Sequence, residues 1–531
     1  MLSSPRLGSL LKIWLVVVIA ALAIHLGSSP LLDADEGRNA EVAREMAETN
    51  DYVMPRLNGL PYLDKPIVYF AAEAGFMEVL GPTELAARLP AYLFTIATAA
   101  VLFWFARRMG IDPWVTAIVF LAMPLVVAFA RTVIFDSALM FFAVAALAAF
   151  WCAIEEQNKR WSMLAWAAMG LAMITKGPVT FVLVLFVVIP YAWRRKALRV
   201  LFPVIGIVLF AAVIAPWVWG MTRVIPEFLS YIVVTETAER MATKALQRTG
   251  PPWYFVPYLI AGALPWSIVA IFSWRSLKKR GDLFLLLWLL VPFVFFSISQ
   301  SKRPQYILPL MPAIALMLAR IWDEARTRAA GIVIALFGGL LLAASLFLHR
   351  TKMKPEIAAV ADETAIGLGI AFALGGLVAM FSQRRELILI ALTLPVIALP
   401  LLADPLLHAL AERRSTKSMV VEMRPFLDPG TEIVGVEAYA GSLSFYLRQP
   451  ITIVSEDGSE LTSNYILRRF DRFSTNPAST LKPLPYFDRT LTDPAPRVYV
   501  LRIGDKKRRA LLEARGWHLV ADGARHVVYA R

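Results

Sequence analysis

Residues 13–66, IWLVVVIAALAIHLGSSPLLDADEGRNAEVAREMAETNDYVMPRLNGLPYLDKP, set an apolar run directly against a stretch dense in charge. The run from Ile13 to Ser29 is long enough to cross a bilayer with some tilt, so the charge beginning at Asp33 must be held at or just outside a membrane surface. Arg6 and Lys12 precede the run as in a signal peptide, but its length and the lack of a small-x-small cleavage site predict a retained first span. From Glu36 to Glu48 the spacing predicts an amphipathic helix. At about 100° per residue Ala40, Val42, Ala43, Met46 and Ala47 fall in one arc, and Arg38, Glu41, Arg44, Glu45 and Glu48 in the opposite one. Such a helix lies in the membrane interface with its charged arc turned away from lipid. Asp35 and Glu36 stand at its start, where the macrodipole favours carboxylates. Asn58-Gly59 and Pro61 then punctuate the chain before Asp64-Lys65-Pro66.

The remaining composition agrees with a membrane protein. Of 531 residues, 58% are hydrophobic and only 18% charged, with a mean hydropathy of +0.60, values that an ordinary soluble domain does not reach. The net charge of +14 does not point to nucleic acid, because no basic tract with interleaved aromatics is present. Positive-inside topology and anionic lipid account for it. The single cysteine, Cys152, lies in an apolar run and excludes an intramolecular disulfide framework and a thiolate metal cluster. No internal repeat or low-complexity segment interrupts the pattern.

Hydropathy predicts about thirteen transmembrane helices in residues 1–402. With the N-terminus in the cytoplasm, the cytoplasmic loops carry Arg107-Arg108, Lys159-Arg160, Arg194 to Lys196, Arg275 with Lys278 to Arg280, Arg326 with Arg328, and Arg384-Arg385. Each of them is basic, as the orientation rule requires. An odd number of spans then places the charged opening stretch, and everything after about Leu402, on the periplasmic side. There Lys65, Arg131, Lys176, Arg240, Lys244, Arg248, Lys302 and Arg303 gain nothing from the rule, so an anion should meet some of them. Two long outer loops, residues 30–85 and 220–252, the latter with the helical-looking TETAERMATKALQR, are expected to roof a pocket at the outer leaflet.

Residues 403–531 have the composition of a soluble domain. Strands are expected at Ile433–Val436, Ile451–Val454, Val498–Leu501 and Val527–Ala530, and helices at Ser442–Leu447 and Lys506–Arg515, the second stopped by Gly516. The fold class is therefore an α-helical polytopic membrane protein with a small C-terminal soluble α/β domain.

Each charged group admits a structural reading beside a chemical one. Asp35 and Glu36 are either helix-start carboxylates or reacting groups. Lys65 either snorkels beside the membrane or meets an anion. Arg131 and Asp136, in ARTVIFDSALMFF, flank a short outer turn between two spans, where charge is expensive enough to suggest function, with an ion pair as the alternative. Lys302, Arg303 and Tyr306, in SQSKRPQYILP, form either a cation-and-hydroxyl patch or an interfacial anchor. The five histidines lack ligand spacing.

Several motifs together resemble one family. They are D-E-G-R-x-A-E-x-A-R-E-M from Asp35 to Met46, MPRLNGLPYLDKP ending at Pro66, ARLP at 87–90, TKGP at 175–178, QRTGPPWY at 247–254, SKRPQYILP at 301–309, and STKSM followed by GSLSFYLRQPITIV. The chain resembles, over nearly its whole length, the aminoarabinose (lipid A) transferase-like family of polyprenyl-phosphate-sugar-dependent GT-C glycosyltransferases, related to protein O-mannosyltransferases. The resemblance implies Asp35 as the essential carboxylate and Asp136 as a second. It implies Lys65, Arg248 and Tyr306 around the donor phosphate; the charge pattern adds Glu36, Arg38, Arg131 and Lys302 as secondary candidates. Some relatives are associated with a divalent metal near the acid that precedes the lysine, here Asp64. This chain has an Asp where Glu is commoner, and no histidine in the neighbouring loops.

The implied activity is transfer of a sugar from a polyprenyl-phosphate donor to a periplasmic acceptor: lipid A, another envelope glycan, or protein. The alternative from another class is a carrier of lipid-linked sugar without bond chemistry. Charge concentrated on one side suits a one-sided active site better than alternating access.

Overall fold

A computed structural model describes residues 5–232, 250–348 and 355–531. The helical-looking stretch 235–248, and with it Arg240, Lys244 and Arg248, lies outside the described residues. The chain divides into two compact units, Met1–Leu26 with Ala91–Leu406, and Gly27–Pro90 with Leu407–Arg531.

The first unit is helical throughout its described residues. By length and composition, six helices among the described residues could cross a bilayer: Glu84–Arg108, Asp136–Glu156, Leu198–Val224, Thr327–Phe347, Ile357–Phe381 and Arg385–Glu412. Two more candidates are bent pairs, Pro113–Leu121 with Pro124–Ala130 at 68° and Pro252–Gly262 with Trp266–Phe272 at 103°. Ser9–Ala23, Val179–Arg194 and Leu283–Ile298 are shorter apolar helices.

Local chemistry explains several of these boundaries. Asp112 caps the helix at Pro113 by accepting from Trp114 N at 2.8 Å and Val115 N at 3.1 Å. At the 68° bend the backbone would lose a partner, and the buried indole of Trp266 donates to the Ala122 carbonyl at 2.8 Å. Thr327–Leu348 and Pro355–Phe381 pack through glycines: a Cβ on Gly338 would lie 2.4 Å from Ala373 N, and one on Gly376 2.4 Å from Ala335 N. Small residues let two helix backbones approach closely where lipid provides no hydrophobic drive between them.

The second unit contains a six-stranded sheet: β3 (Glu432–Val436), β4 (Thr452–Ser455), β5 (Leu481–Pro483), β6 (Arg497–Arg502), β7 (His518–Asp522) and β8 (His526–Ala530). Its order is β5-β4-β3-β6-β8-β7. β5, β4, β3 and β6 run parallel, and β8 and β7 add antiparallel to β6. The parallel strands β3 and β6 are buried along most of their length, which is why they read as near-continuous apolar runs. A core of Val434, Val454, Tyr499, Leu501, Trp517, Val527 and Tyr529 lies on one face. All four strands expected from the sequence are present within a residue or two, as are both helices, Gly441–Leu447 and Lys506–Ala514.

The same unit contains the charged opening stretch, and here the interfacial reading fails. The helix runs from Asp35 to Thr49, and Glu41, Arg44 and Glu45 of its charged arc are buried along with the apolar arc. Those buried polar groups are tolerable because each has a hydrogen-bond partner. Arg44 donates to both oxygens of Glu41 at 2.7 Å and also holds Glu48. Glu45 accepts from Gly59 N at 2.9 Å. Gly59 belongs to a hairpin in which Arg56–Leu57 (β1) pairs with Leu60–Pro61 (β2). Asn58 and Gly59 take φ of 54° and 76°, the left-handed turn that Asn-Gly favours. Asn58 then joins β4, its amide donating to the Ile451 carbonyl and accepting from Ile451 N, both at 2.8 Å. Gly37 is required by close approach, since a Cβ there would meet Ser442 N at 2.4 Å.

Candidate functional site

In the first unit, Asp136 opens the helix Asp136–Glu156 and is 2% exposed. Lys176, the last residue of Lys159–Lys176, places Nζ 2.5 Å from Asp136 Oδ1 and 4.9 Å from the centre of the Tyr306 ring. A buried carboxylate with an ammonium beside it and an aromatic face beneath is a cation site with one side committed. Tyr306 packs on Phe296, and its hydroxyl is 3.4 Å from Ser301 Oγ. Lys176, not Lys302, is thus the cation gathered to Asp136 and Tyr306. The sequence marked Lys176 only as an outer charge within TKGP, because nothing in one dimension links residues forty apart.

Arg131 and Lys302 are held by carbonyls. Arg131 donates to Leu22 O at 2.7 Å, Ile24 O at 2.6 Å and His25 O at 3.1 Å, at the C-terminal end of the first helix. Lys302 donates to Ser297 O at 2.7 Å and Ser299 O at 2.6 Å at the end of Leu283–Ile298. Both place positive charge where a helix leaves its last carbonyls unsatisfied.

In the second unit, Asp35, with its side chain 37% exposed, accepts from Arg38 Nη2 at 2.7 Å. Arg38 also donates to Thr462 Oγ1 at 2.6 Å and lies over the Tyr62 ring at 5.9 Å. Glu36 faces inward and takes two hydrogen bonds from Arg88, at 3.1 and 2.9 Å. Arg88 uses its remaining donors on Ser29 O at 2.7 Å and Pro30 O at 3.1 Å. The two acids of D-E-G-R are therefore distinguished by facing: Glu36 is locked into the fold and Asp35 reaches the surface. Asp33 accepts from Ser442 N at 3.0 Å, and burial still pushes its carboxyl up to about 6. Glu73, fully buried, has no hydrogen-bond partner on either oxygen among the described residues; burial, then the Glu36 charge, holds its carboxyl well above the usual range, hence neutral.

Lys65 donates to the Asp64 carbonyl at 2.8 Å and is partly exposed. The Asp64 carboxylate accepts from Asn464 N at 3.0 Å, Ser463 Oγ at 3.3 Å and Tyr465 N at 3.4 Å, serving the start of the helix Asn464–Arg468. Both of its oxygens are engaged by protein donors, and no group of three His, Cys, Asp or Glu suited to a metal occurs among the described residues. A divalent ion needs several oxygen or nitrogen ligands. Asp64 as it stands does not fit one.

Comparison with known proteins finds similar chains along most of the sequence. Residues 64–219 match the model for dolichyl-phosphate-mannose-protein mannosyltransferase. A relative from Shewanella sediminis, described as undecaprenyl phosphate-alpha-4-amino-4-deoxy-L-arabinose arabinosyl transferase, is 31% identical over 341 residues, 61% of this chain and 62% of that protein. The matched stretch thus spans less than two thirds of that relative's length. A Pseudomonas fluorescens protein of the same description, numbered 1, is 27% identical over 465 residues, 82% of this chain and 83% of its own. The crystal structure of ArnT from Cupriavidus metallidurans bound to undecaprenyl phosphate superposes with a TM-score of 0.85 at 25% identity, covering 100% of this chain and 98% of that one. This chain is a multi-pass membrane protein similar over its whole length to a solved ArnT and, over most of it, to the aminoarabinose transferases.

Proposed function

We propose that the protein is an inner-membrane glycosyltransferase that moves a sugar from an undecaprenyl-phosphate-type donor to a periplasmic acceptor such as lipid A. The observation that carries this reading is the likeness over the whole chain to a solved protein that holds undecaprenyl phosphate. In the reaction the bond from the sugar's anomeric carbon to the phosphate oxygen breaks, and an acceptor oxygen bonds to that carbon. Negative charge grows on the departing polyprenyl phosphate, so Lys65, Arg248 and the Tyr306 hydroxyl stabilise the transition state more than the ground state. Asp35 takes the proton of an acceptor hydroxyl; an acceptor phosphate is already ionised, and Asp35 then orients it. Arg38 orients Asp35 through their ion pair, and Asp136 positions Lys176 against the Tyr306 ring. No step uses a metal. The reading is tested with purified protein, a polyprenyl-phosphate sugar and an acceptor extract, by following release of free polyprenyl phosphate. Movement of intact donor across vesicles without any release would decide for a carrier.

A protein acceptor is the second reading, favoured by the match of residues 64–219 to the protein mannosyltransferase model. Mass spectrometry of lipid A and of envelope proteins from a deletion strain separates the two.

A charge-assisted hydrogen bond contributes about 1.5 to 3 kcal/mol, and about 1.4 kcal/mol is one decade in rate. Lys65→Ala is therefore expected to lower turnover by roughly ten- to a hundredfold beyond its loss of donor affinity. A change in KM alone would place Lys65 outside the transition-state contacts.

The topology belongs to the same proposal: about thirteen spans in residues 1–402, outer loops at 30–85 and 220–252, a cytoplasmic N-terminus, and residues 403–531 as a periplasmic α/β domain. Reporter fusions at Lys279 are expected inside, and those at Gly458 and at the C-terminus outside. A cytoplasmic signal from Gly458 would overturn both the span count and the side of the chemistry.

A further inference from the structure

The second unit carries an open cavity of about 90 Å³ that the reaction above does not use. A space of that size holds several waters, or one tetrahedral oxyanion with fewer. Four arginines line it: Arg38, Arg413, Arg414 and Arg525. The carboxylates on the same lining have other neighbours, and Glu412 is exposed. Asp33 is held by the backbone and hydroxyl of Ser442, Glu412 faces His408 at 3.5 Å, and Glu460 accepts from Ser455 Oγ at 2.6 Å and lies 3.8 Å from Arg502. The arginines are not similarly spent. Among the described residues the guanidinium groups of Arg413, Arg414 and Arg525 make no ion pair or hydrogen bond, and Arg525 acts on Asp33 only through space. Arg38 uses its two Nη groups on Asp35 and Thr462, while its Nε is buried without a partner. A buried N–H without an acceptor is costly, and a ligand that brings acceptor oxygens removes the cost.

We propose that this cavity is a binding site for a phosphate monoester, with Arg38, Arg413, Arg414 and Arg525 as its donors. A carboxylate offers two oxygens and is satisfied by one arginine, and a phosphodiester carries a single charge. A monoester offers three terminal oxygens and nearly two charges, which matches several guanidinium groups around one small space. The same chemistry arrives either on a lipid headgroup or as free phosphate. Arg38 joins the cavity to Asp35, so an occupant touches the arginine that holds the proposed base. The inference needs no glycosyl chemistry, and its test is binding alone.

Full-length protein in detergent is titrated with inorganic phosphate, with a short-chain phosphatidic acid (a monoester) and with the matching phosphatidylglycerol (a diester), following the melting temperature. Wild type is expected to be stabilised by phosphatidic acid and not by phosphatidylglycerol. The double variant Arg413→Gln/Arg525→Gln, which alters exposed side chains, should weaken that response by roughly tenfold or more in concentration. Should the double variant melt early without ligand, Arg414→Gln carries the comparison. Stabilisation by phosphatidic acid alone assigns the site to a lipid headgroup; stabilisation by inorganic phosphate as well shows that the phosphate group suffices. No response to phosphatidic acid, an equal response to the diester, or equal responses in wild type and variants would overturn the proposal.

Discussion

In purified Asp35→Asn protein, sugar transfer is expected to fall by about 10²- to 10⁴-fold, the usual contribution of a positioned general base. The substitution keeps the shape of the side chain and removes its charge. Asp35 is the acid of the D-E-G-R segment that reaches the surface, at 37% side-chain exposure, while Glu36 is buried against Arg88. Its ion pair with Arg38 at 2.7 Å fixes the direction in which the carboxylate faces. An i,i+3 pair this exposed contributes at most about 1 kcal/mol to stability, so expression and melting should change little. Donor affinity should also survive, because in the proposed mechanism the donor phosphate is met by cations and the Tyr306 hydroxyl. The measurement is release of free polyprenyl phosphate by matched amounts of wild type and variant. Turnover within threefold of wild type would return Asp35 to the role of a helix-start carboxylate and leave the reaction without its base.

Arg88→Ala is expected to destabilise the second unit by about 3 to 5 kcal/mol, the effect of removing one partner from a buried ion pair. The guanidinium is almost fully buried, donates twice to the equally buried Glu36, and satisfies the carbonyls of Ser29 and Pro30. Its loss takes both guanidinium hydrogen bonds from a buried carboxylate, which keeps the Leu32 N–H at 3.0 Å, and the Arg88 donations from two carbonyls at the start of the helix that bears Asp35. Arg88→Lys keeps the charge but loses the fork geometry that makes four donations from one group, so it should fall between wild type and Ala. Thermal melting in detergent, with limited proteolysis of residues 27–90, reads the effect. A melting temperature unchanged in Arg88→Ala would mean that this buried network does not hold the unit together.

Much of the second unit was legible because its periodicities are local. Four strands and two helices stand where apolar runs and Gly516 placed them. β5 and β7 were not legible for physical reasons. β5 is three residues long and contains a proline, and β7 is an edge strand whose side chains are largely exposed. Asn58-Gly59 could be read as a turn, but not as the joint to β4 that the Asn58 amide makes with Ile451.

The chain by itself determined the membrane class, the helix over residues 36–48 and four strands of the second unit, since composition and the 3.6- and 2-residue spacings are properties of neighbours along the sequence. Tertiary structure alone decided which charges act together. The arc of Arg38, Glu41, Arg44 and Glu45 looked like a solvated face, because periodicity reports that a face is polar and not what lies against it. Packing instead buried Glu41, Arg44 and Glu45, where pairing offsets the cost of desolvation. Lys176 and Asp136 likewise stood as separate outer charges. Their union beside Tyr306 needs the helices ending at Lys176 and beginning at Asp136 to bring two distant ends together, and a contact between residues forty apart leaves no periodic mark in the sequence.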